Sequence, residues 1–149
     1  MRPLLAEMLG AGVVAADSEV AEWKGGGGHP SWDVSGDGLL ADVKLAWHHR
    51  DGVLGIPPPP QAGQYDPDKV HEIILVVLDG VVVDHEYLPD GTVTMAARAR
   101  ALAVYRVPVA TVNTVMRRDG RSRGRWLVDI RDVAGFLVRG AKPTDASES

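Results

Sequence analysis

Apolar residues near the start of the chain have the spacing of a helix. Leu5, Met8 and Leu9 recur at intervals of three and four, which places them on one face and predicts a helix from Pro3 to about Val14. Proline suits the first turn of a helix. A second, shorter helix is predicted over residues 17–23, where an Asp-Ser pair provides the N-cap.

The next pattern is alternating, which is typical of strands. Residues 31–34 and 39–46 are predicted to form two strands joined by the turn Ser-Gly-Asp-Gly, whose glycines supply the positive φ of a tight hairpin. Because side chains alternate along a strand, Asp42 and Lys44 share one face, while Val43 and Leu45 share the other. The hairpin therefore displays charged groups on one side.

The remaining elements follow from apolar runs and from glycine and proline positions. Four prolines at 57–60 predict a surface loop rather than a helix or central strand. The further predictions are a central strand over 71–78 ended by Asp79-Gly80, its hairpin partner over 81–87, a helix over 95–105, a strand over 109–116, a polar loop over 117–125, and a C-terminal β/α addition that begins at 126–130 and ends in a short helix through Val138.

This order predicts an α/β fold: a central mixed sheet with αβββαβ order, flanked by helices. We expect one domain over residues 1–140 and a disordered tail over 141–149. The run Gly25 to Gly28 has neither the lysine nor the hydroxyl residue of a phosphate-binding loop, so it is interpreted as a flexible link.

Composition narrows the chemistry. The 149 residues include no cysteine, which excludes disulfides, thiolate metal sites and cysteine nucleophiles. No apolar run is long enough to span a membrane and no signal peptide precedes the first helix, so a cytoplasmic protein without membrane contact is expected.

The charges are unevenly distributed. Residues 1–97 hold five Lys or Arg against fifteen Asp or Glu, whereas residues 98–139 hold ten Arg against three Asp. The net charge is −4. An acidic part that suits a metal ion thus precedes a basic part that suits phosphate.

The hairpin carries the candidate chemistry. Asp33 lies on its first strand, and Asp42 and Lys44 lie on the second. Hydrolysis of a phosphodiester needs an activated water and stabilisation of charge on the phosphate, which carboxylate-bound Mg²⁺ supplies. A lysine on the same strand face orients the water or neutralises phosphoryl oxygens. The alternative is that these charged residues face solvent, form ion pairs with each other and have no function.

At these residues the chain resembles the PD-(D/E)xK nuclease superfamily, in which an Asp on one strand precedes a D/E-x-K triplet on the next. Asp33 falls at the first position, and Asp42-Val43-Lys44 at the triplet. The resemblance implies a restriction endonuclease-like core, a metal site of Asp33, Asp42 and a helix glutamate, and a catalytic role for Lys44. The glutamate is Glu7 in the first instance.

Two departures from the family pattern accompany the resemblance. The triplet begins with Asp rather than the more frequent Glu, and Trp32 replaces the usual proline. Spacing alone does not choose between Glu7, Glu19 and Glu22 for the third carboxylate.

A group of arginines completes the set of candidates. Around a glycine turn lie the five residues predicted to contact nucleic acid: Arg117, Arg118, Arg121, Arg123 and Arg125. Arg98 and Arg100 would extend the same surface or serve only solubility. His48 and His49 are interpreted as surface residues, and His29, which precedes Asp33, is not assigned to the site.

The expected function is a Mg²⁺-dependent endodeoxyribonuclease of restriction, repair or recombination type, with Mn²⁺ as a substitute metal. Because one chain offers one site, cutting both strands of DNA requires a homodimer. The alternative is a non-catalytic domain with a degenerate nuclease-like fold that binds nucleic acid or another protein. The sequence does not distinguish DNA from RNA as the substrate.

Overall fold

The computed structural model describes residues 2–23, 32–59, 63–120 and 125–140, and the statements below concern those residues. The elements, in chain order, are α1 (Arg2–Ala16), β1 (Ala21–Trp23), β2 (Val34–Gly36), β3 (Leu39–Arg50), β4 (Val53–Ile56), β5 (Glu72–Tyr87), β6 (Val93–Pro108), α2 (Val109–Val115), β7 (Arg117–Arg118), β8 (Trp126–Asp129), α3 (Ile130–Val133), a 3₁₀ turn (Ala134–Phe136) and β9 (Leu137–Gly140).

The strands form one mixed sheet. Its order is β7-β8-β4-β3-β5-β6-β9, and β2 also pairs with β3 and carries β1 on its other side. Strands β3 and β5 run parallel, and the other neighbouring pairs are antiparallel. The prediction of an α/β fold with a central mixed sheet is therefore confirmed.

Each face of the sheet has its own hydrophobic core. On one face, α1 covers Ala41, Val43 and neighbouring residues of β5 and β6. The helix approaches closely because Gly10 has no side chain: a Cβ there would lie 2.9 Å from both methyl groups of Val43. The opposite face is covered by α2, α3 and the segment before β5, which contributes Tyr65. Strand β3 thus contributes to both cores.

The predicted β2–β3 hairpin is present, but its turn is shorter than the predicted Ser-Gly-Asp-Gly turn, because Ser35 and Gly36 belong to β2. Gly36 pairs with Leu39, so the loop consists of Asp37 and Gly38, which have φ values of +51° and +85°. Both positive values are typical of the type I′ turn favoured in two-residue hairpins. The Asp37 carboxylate also accepts hydrogen bonds from the backbone amides of Glu19 and Val20 at 3.0 and 2.9 Å. These bonds fix the link after α1 to the hairpin.

The elements predicted over 95–105 and 109–116 have the wrong type. The helix predicted over 95–105 is part of strand β6, which pairs with β5 along its length, so tertiary pairing overrides the helical preference of the alanine-rich segment. The strand predicted over 109–116 is helix α2, in which the buried Val109 and Val112 are three residues apart.

Other boundaries also differ. The hairpin predicted between 71–78 and 81–87 is wrong: both parts belong to strand β5, which continues through Asp79-Gly80 with a shift in register, and residues 88–92 connect it to β6. The short helix predicted over 17–23 is wrong, because residues 21–23 pair with β2 as a strand. The final helix predicted through Val138 ends at Val133, and β9 follows the 3₁₀ turn. The full αβββαβ order is therefore not reproduced.

Several predictions fall outside the described ranges. They concern the tail over 141–149, the link at Gly25 to Gly28 with His29, and the side chains of Arg121 and Arg123. Within the described ranges, the helices are too short or too polar to cross a membrane.

Candidate active site and basic cleft

The hairpin brings Asp33 and Asp42 together. Asp33 immediately precedes β2, its amide donates a 2.9 Å hydrogen bond to Ala41, and its Oδ2 accepts a 2.8 Å hydrogen bond from the amide of Val43. The strand pairing ends at Val34 and Ala41, and a hydrogen bond between the carboxyl groups of Asp33 and Asp42 brings the two side chains together. By strand alternation, Asp42 lies on the face of β3 opposite that of Ala41 and Val43.

Lys44 joins the pair on that face. Its Nζ lies 3.2 Å from Oδ2 of Asp42, and both side chains are largely shielded from water. This matches the alternation expected from the sequence. In the described structure, Asp33, Asp42 and Lys44 therefore form one cluster, called the hairpin cluster below.

The environment of Asp42 opposes its ionisation. Asp42 is 9% exposed, and burial, reinforced by a hydrogen bond with the Asp33 carboxyl, raises its pKa to about 7. The nearby Lys44 ammonium acts in the opposite direction but does not compensate for the burial. A carboxyl group that has a raised pKa and lies beside a second carboxyl group is a feature frequently found at functional sites.

Glu7 is not part of this cluster. It lies on α1, which packs on the Ala41 and Val43 face of the sheet, and its Oε1 accepts a 2.8 Å hydrogen bond from the indole of Trp23. Glu19 and Glu22 are exposed residues that follow the helix. Among the described residues, no three His, Cys, Asp or Glu side chains form a group able to hold a metal ion.

A cleft of about 430 Å³ lies at the other end of β3. Its lining combines the end of β3 with β7, β8 and the segment between them: His49, Arg50, Arg117, Arg118, Asp119, Gly120, Arg125 and Leu127. We call it the basic cleft. It contains the three described members of the predicted arginine group, and adds two residues from β3.

Arg117 and Arg125 are held in place by neighbouring side chains. Arg117 is 3.0 Å from a carboxylate oxygen of Asp129, and Arg125 is 3.4 Å from Asp119. Arg125 also lies 3.1 Å from Nδ1 of His49. The guanidinium of Arg118 lies 5.4 Å from the ring centroid of Trp126, a cation–π distance.

The basic cleft has more positive than negative charge. Within the described ranges, neither Arg50 nor Arg118 has a carboxylate partner, so two guanidinium groups remain free to bind an anion. Sequence reasoning missed the contribution of His49 and Arg50, because they lie nearly 70 residues before β7. Only the pairing of β4 with β3 and β8 brings them close.

Comparison with known proteins did not identify a related family. Neither the protein-family models nor the curated proteins that were compared with the chain gave a match.

Proposed function

We propose that this protein is a Mg²⁺-dependent endodeoxyribonuclease. The observation that supports this most strongly is the hairpin cluster, in which the carboxyl groups of Asp33 and Asp42 are joined by a hydrogen bond and a lysine lies 3.2 Å from Asp42. A solvated ion pair, the bland alternative, would not require a second carboxyl group or the burial of Asp42.

The two aspartates suit Mg²⁺. Mg²⁺ prefers oxygen ligands and is commonly bound by one or two carboxylates with water in its remaining positions, so a third carboxylate is not required. Two adjoining carboxyl groups, of which that of Asp42 is buried, repel each other when both are ionised, and a divalent cation would relieve that repulsion. Asp33 and Asp42 would therefore hold the ion. When bound, it would supply Lewis acidity toward the phosphate and polarise a water; Mn²⁺ would substitute for it.

The chain's own residues would have distinct roles. The backbone amide of Val43 fixes the Asp33 carboxylate, and Lys44 would donate a hydrogen bond to a phosphoryl oxygen or to the attacking water. Glu7 is omitted from this proposal because it pairs with Trp23 on the other side of the sheet.

The proposal extends to the finer fold. Helix α1 and the antiparallel strands β2, β3 and β4 would correspond to the first four elements of the αβββαβ order of the PD-(D/E)xK superfamily, with the short strand β1 inserted between α1 and β2. Strand β5 then returns parallel to β3. In this assignment, the segment between β4 and β5 replaces the second helix of the family order.

The basic cleft would bind the DNA backbone. Between Lys44 and the cleft residue His49, β3 rises by roughly 17 Å at about 3.3 Å per residue. Strand register places Arg117 and Leu127 of the cleft on the face of Trp47, opposite that of Asp42 and Lys44, so a nucleic acid that contacts both regions would pass around an edge of the sheet. Cutting both strands would require two copies of the chain, and hence a homodimer.

The test is plasmid cleavage with Mg²⁺. We expect Asp42→Ala to abolish cleavage and Lys44→Ala to lower the rate about 10²- to 10³-fold, the size typical for loss of a transition-state donor. Asp51→Ala is the matched control, since Asp51 is an exposed residue of the β3–β4 turn. Unchanged cleavage in both cluster variants would refute the proposal.

A second candidate is a non-catalytic nucleic-acid-binding domain. It is favoured by the basic cleft, in which Arg50 and Arg118 have no carboxylate partner among the described residues and need no metal to bind phosphate. This candidate predicts DNA retention in EDTA that falls with salt and depends on Arg118 but not on Asp42, without cleavage under any metal condition.

A further inference from the structure

The side chain of Tyr65 places a polar hydroxyl group inside a hydrophobic core. The residue is 2% exposed, and its hydroxyl oxygen has no hydrogen-bond partner among the described residues. Leaving a buried hydroxyl unpaired costs stability, and phenylalanine would fill nearly the same space without that cost. The presence of tyrosine therefore calls for an explanation beyond packing.

The side chain lies on the same sheet face as the hairpin cluster. Tyr65 belongs to the hydrophobic core that includes Ala46 and Ile73. Ala46 shares the face of Asp42 and Lys44 by strand alternation, and Ile73 is the partner of Asp42 on β5. The Asp42 carboxylate also contributes, after burial, to raising the pKa of the Tyr65 phenol, so the two groups are within electrostatic range.

The backbone of Tyr65 is fixed in position. Its amide donates a 2.8 Å hydrogen bond to Oδ1 of Asn113, and its carbonyl accepts a 2.9 Å hydrogen bond from Nδ2 of the same residue. Asn113 lies on α2. This reciprocal pair anchors an otherwise irregular segment to a helix and so fixes where the phenol ring enters the core.

We propose that Tyr65 is a positioning residue whose hydroxyl, without a partner among the described residues of the metal-free protein, donates a hydrogen bond through one buried water to Asp42 when a divalent cation is bound and so orients that carboxylate toward the cation. The inference rests on the proposed function, because it assumes the cation site of Asp33 and Asp42. Carboxylates that bind metals are commonly oriented by such outer hydrogen bonds, and their loss costs about 10- to 100-fold in metal affinity.

The test measures Mn²⁺ binding rather than cleavage. Titration of the full chain with Mn²⁺, followed by the electron paramagnetic resonance signal of the free ion, should give a dissociation constant at least about tenfold weaker for Tyr65→Phe than for the wild type. Tyr105→Phe is the matched control: Tyr105 is buried in the same core, and the pKa of its phenol is raised by burial alone, without a contribution from Asp42. Its affinity should be unchanged.

A second measurement separates this role from a structural one. In EDTA, Tyr65→Phe should unfold at the same temperature as the wild type or at a higher one, since it loses only an unpaired hydroxyl. A lower unfolding temperature would reveal a stabilising partner and overturn the inference. Equal Mn²⁺ affinities for wild type and Tyr65→Phe would overturn the inference alone, whereas a wild type that binds no Mn²⁺ would overturn the proposed metal site together with it.

Discussion

Strand β3 carries two polar regions of opposite character, and they are built in different ways. Near its beginning, the hairpin cluster is acidic, shielded from water and determined by strand register and a two-residue turn. At its end, the basic cleft is open and assembled from β3, β7, β8 and the intervening segment, which lie far apart in sequence. One region depends on local geometry, and the other depends on the complete sheet.

The contrast separates two requirements of an enzyme that acts on DNA. Chemistry at a phosphate needs groups in fixed positions with restricted access to water, because electrostatic interactions are then strong. Holding the DNA backbone needs cationic groups that tolerate different sequences and exchange counterions with solvent. If the two regions have these roles, changes in one should leave the property of the other intact.

The largest expected effect is the pH dependence of stability, which should originate in the hairpin cluster. The pKa of Asp42 is about 7 in the folded protein and 3.8 when unperturbed, so between these values the folded state binds more protons than the unfolded state. The free energy of unfolding should therefore fall as pH rises from about 4 to 7, and level off above. Urea denaturation in EDTA across this range would measure the fall.

Asp42→Asn provides the sharpest check. The variant should lack the contribution of Asp42 to this pH dependence and be more stable than the wild type at pH 8, because no buried carboxylate has to ionise. Asp51→Asn, at an exposed position, should retain the wild-type profile. If the free energies of unfolding of Asp42→Asn and the wild type changed with pH in parallel, the pKa of Asp42 would not be raised in the folded protein. The contrast between a shielded cluster and an open cleft would then fail.

The local nature of the hairpin cluster explains why the sequence predicted it better than the cleft. The α1 helix, the β2–β3 hairpin and the shared face of Asp42 and Lys44 follow from patterns within a few residues and are confirmed, although the turn is shorter than predicted. Glu7 also lies on the predicted helix, but helix rotation and packing decide which side of the sheet its carboxylate reaches. Sequence spacing does not contain that information.

The predictions that failed depend on long-range pairing. Residues 97–100 read Ala-Arg-Ala-Arg, an alternation compatible with a strand, yet the alanine content favoured a helix. Pairing with β5 decides in favour of the strand. Likewise, the valines at 109, 112 and 115 have helical spacing although each one favours a strand. The basic cleft exists only after β3, β4, β8 and β7 have paired in that order.

A substitution on α1, which packs against β3, should affect the hairpin cluster but not the basic cleft. Gly10→Leu would place atoms against both methyl groups of Val43, whose amide holds Asp33, and overpacking of this kind costs about 1–3 kcal/mol. Cleavage should fall with little change in DNA retention. Gly12→Leu is the matched control on the same helix, where a Cβ has open space, and it should be neutral or slightly stabilising. Urea denaturation measures the first effect; equal destabilisation by both variants would contradict it.

The smallest expected effect belongs to the basic cleft and concerns salt. Arg118→Ala removes a guanidinium that has no carboxylate partner in the described structure and stacks near Trp126. If it contacts a phosphate, the slope of log affinity for DNA against log salt concentration should shrink by about one, measured by filter binding in EDTA. Arg131→Ala is the matched control, because its side chain is 85% exposed and lies outside the cleft lining.

Both variants lose one positive charge, so a purely long-range attraction would weaken binding equally in both. A larger change for Arg118 locates the contact in the cleft, and equal changes would mean that the cleft is only one part of a diffuse positive surface.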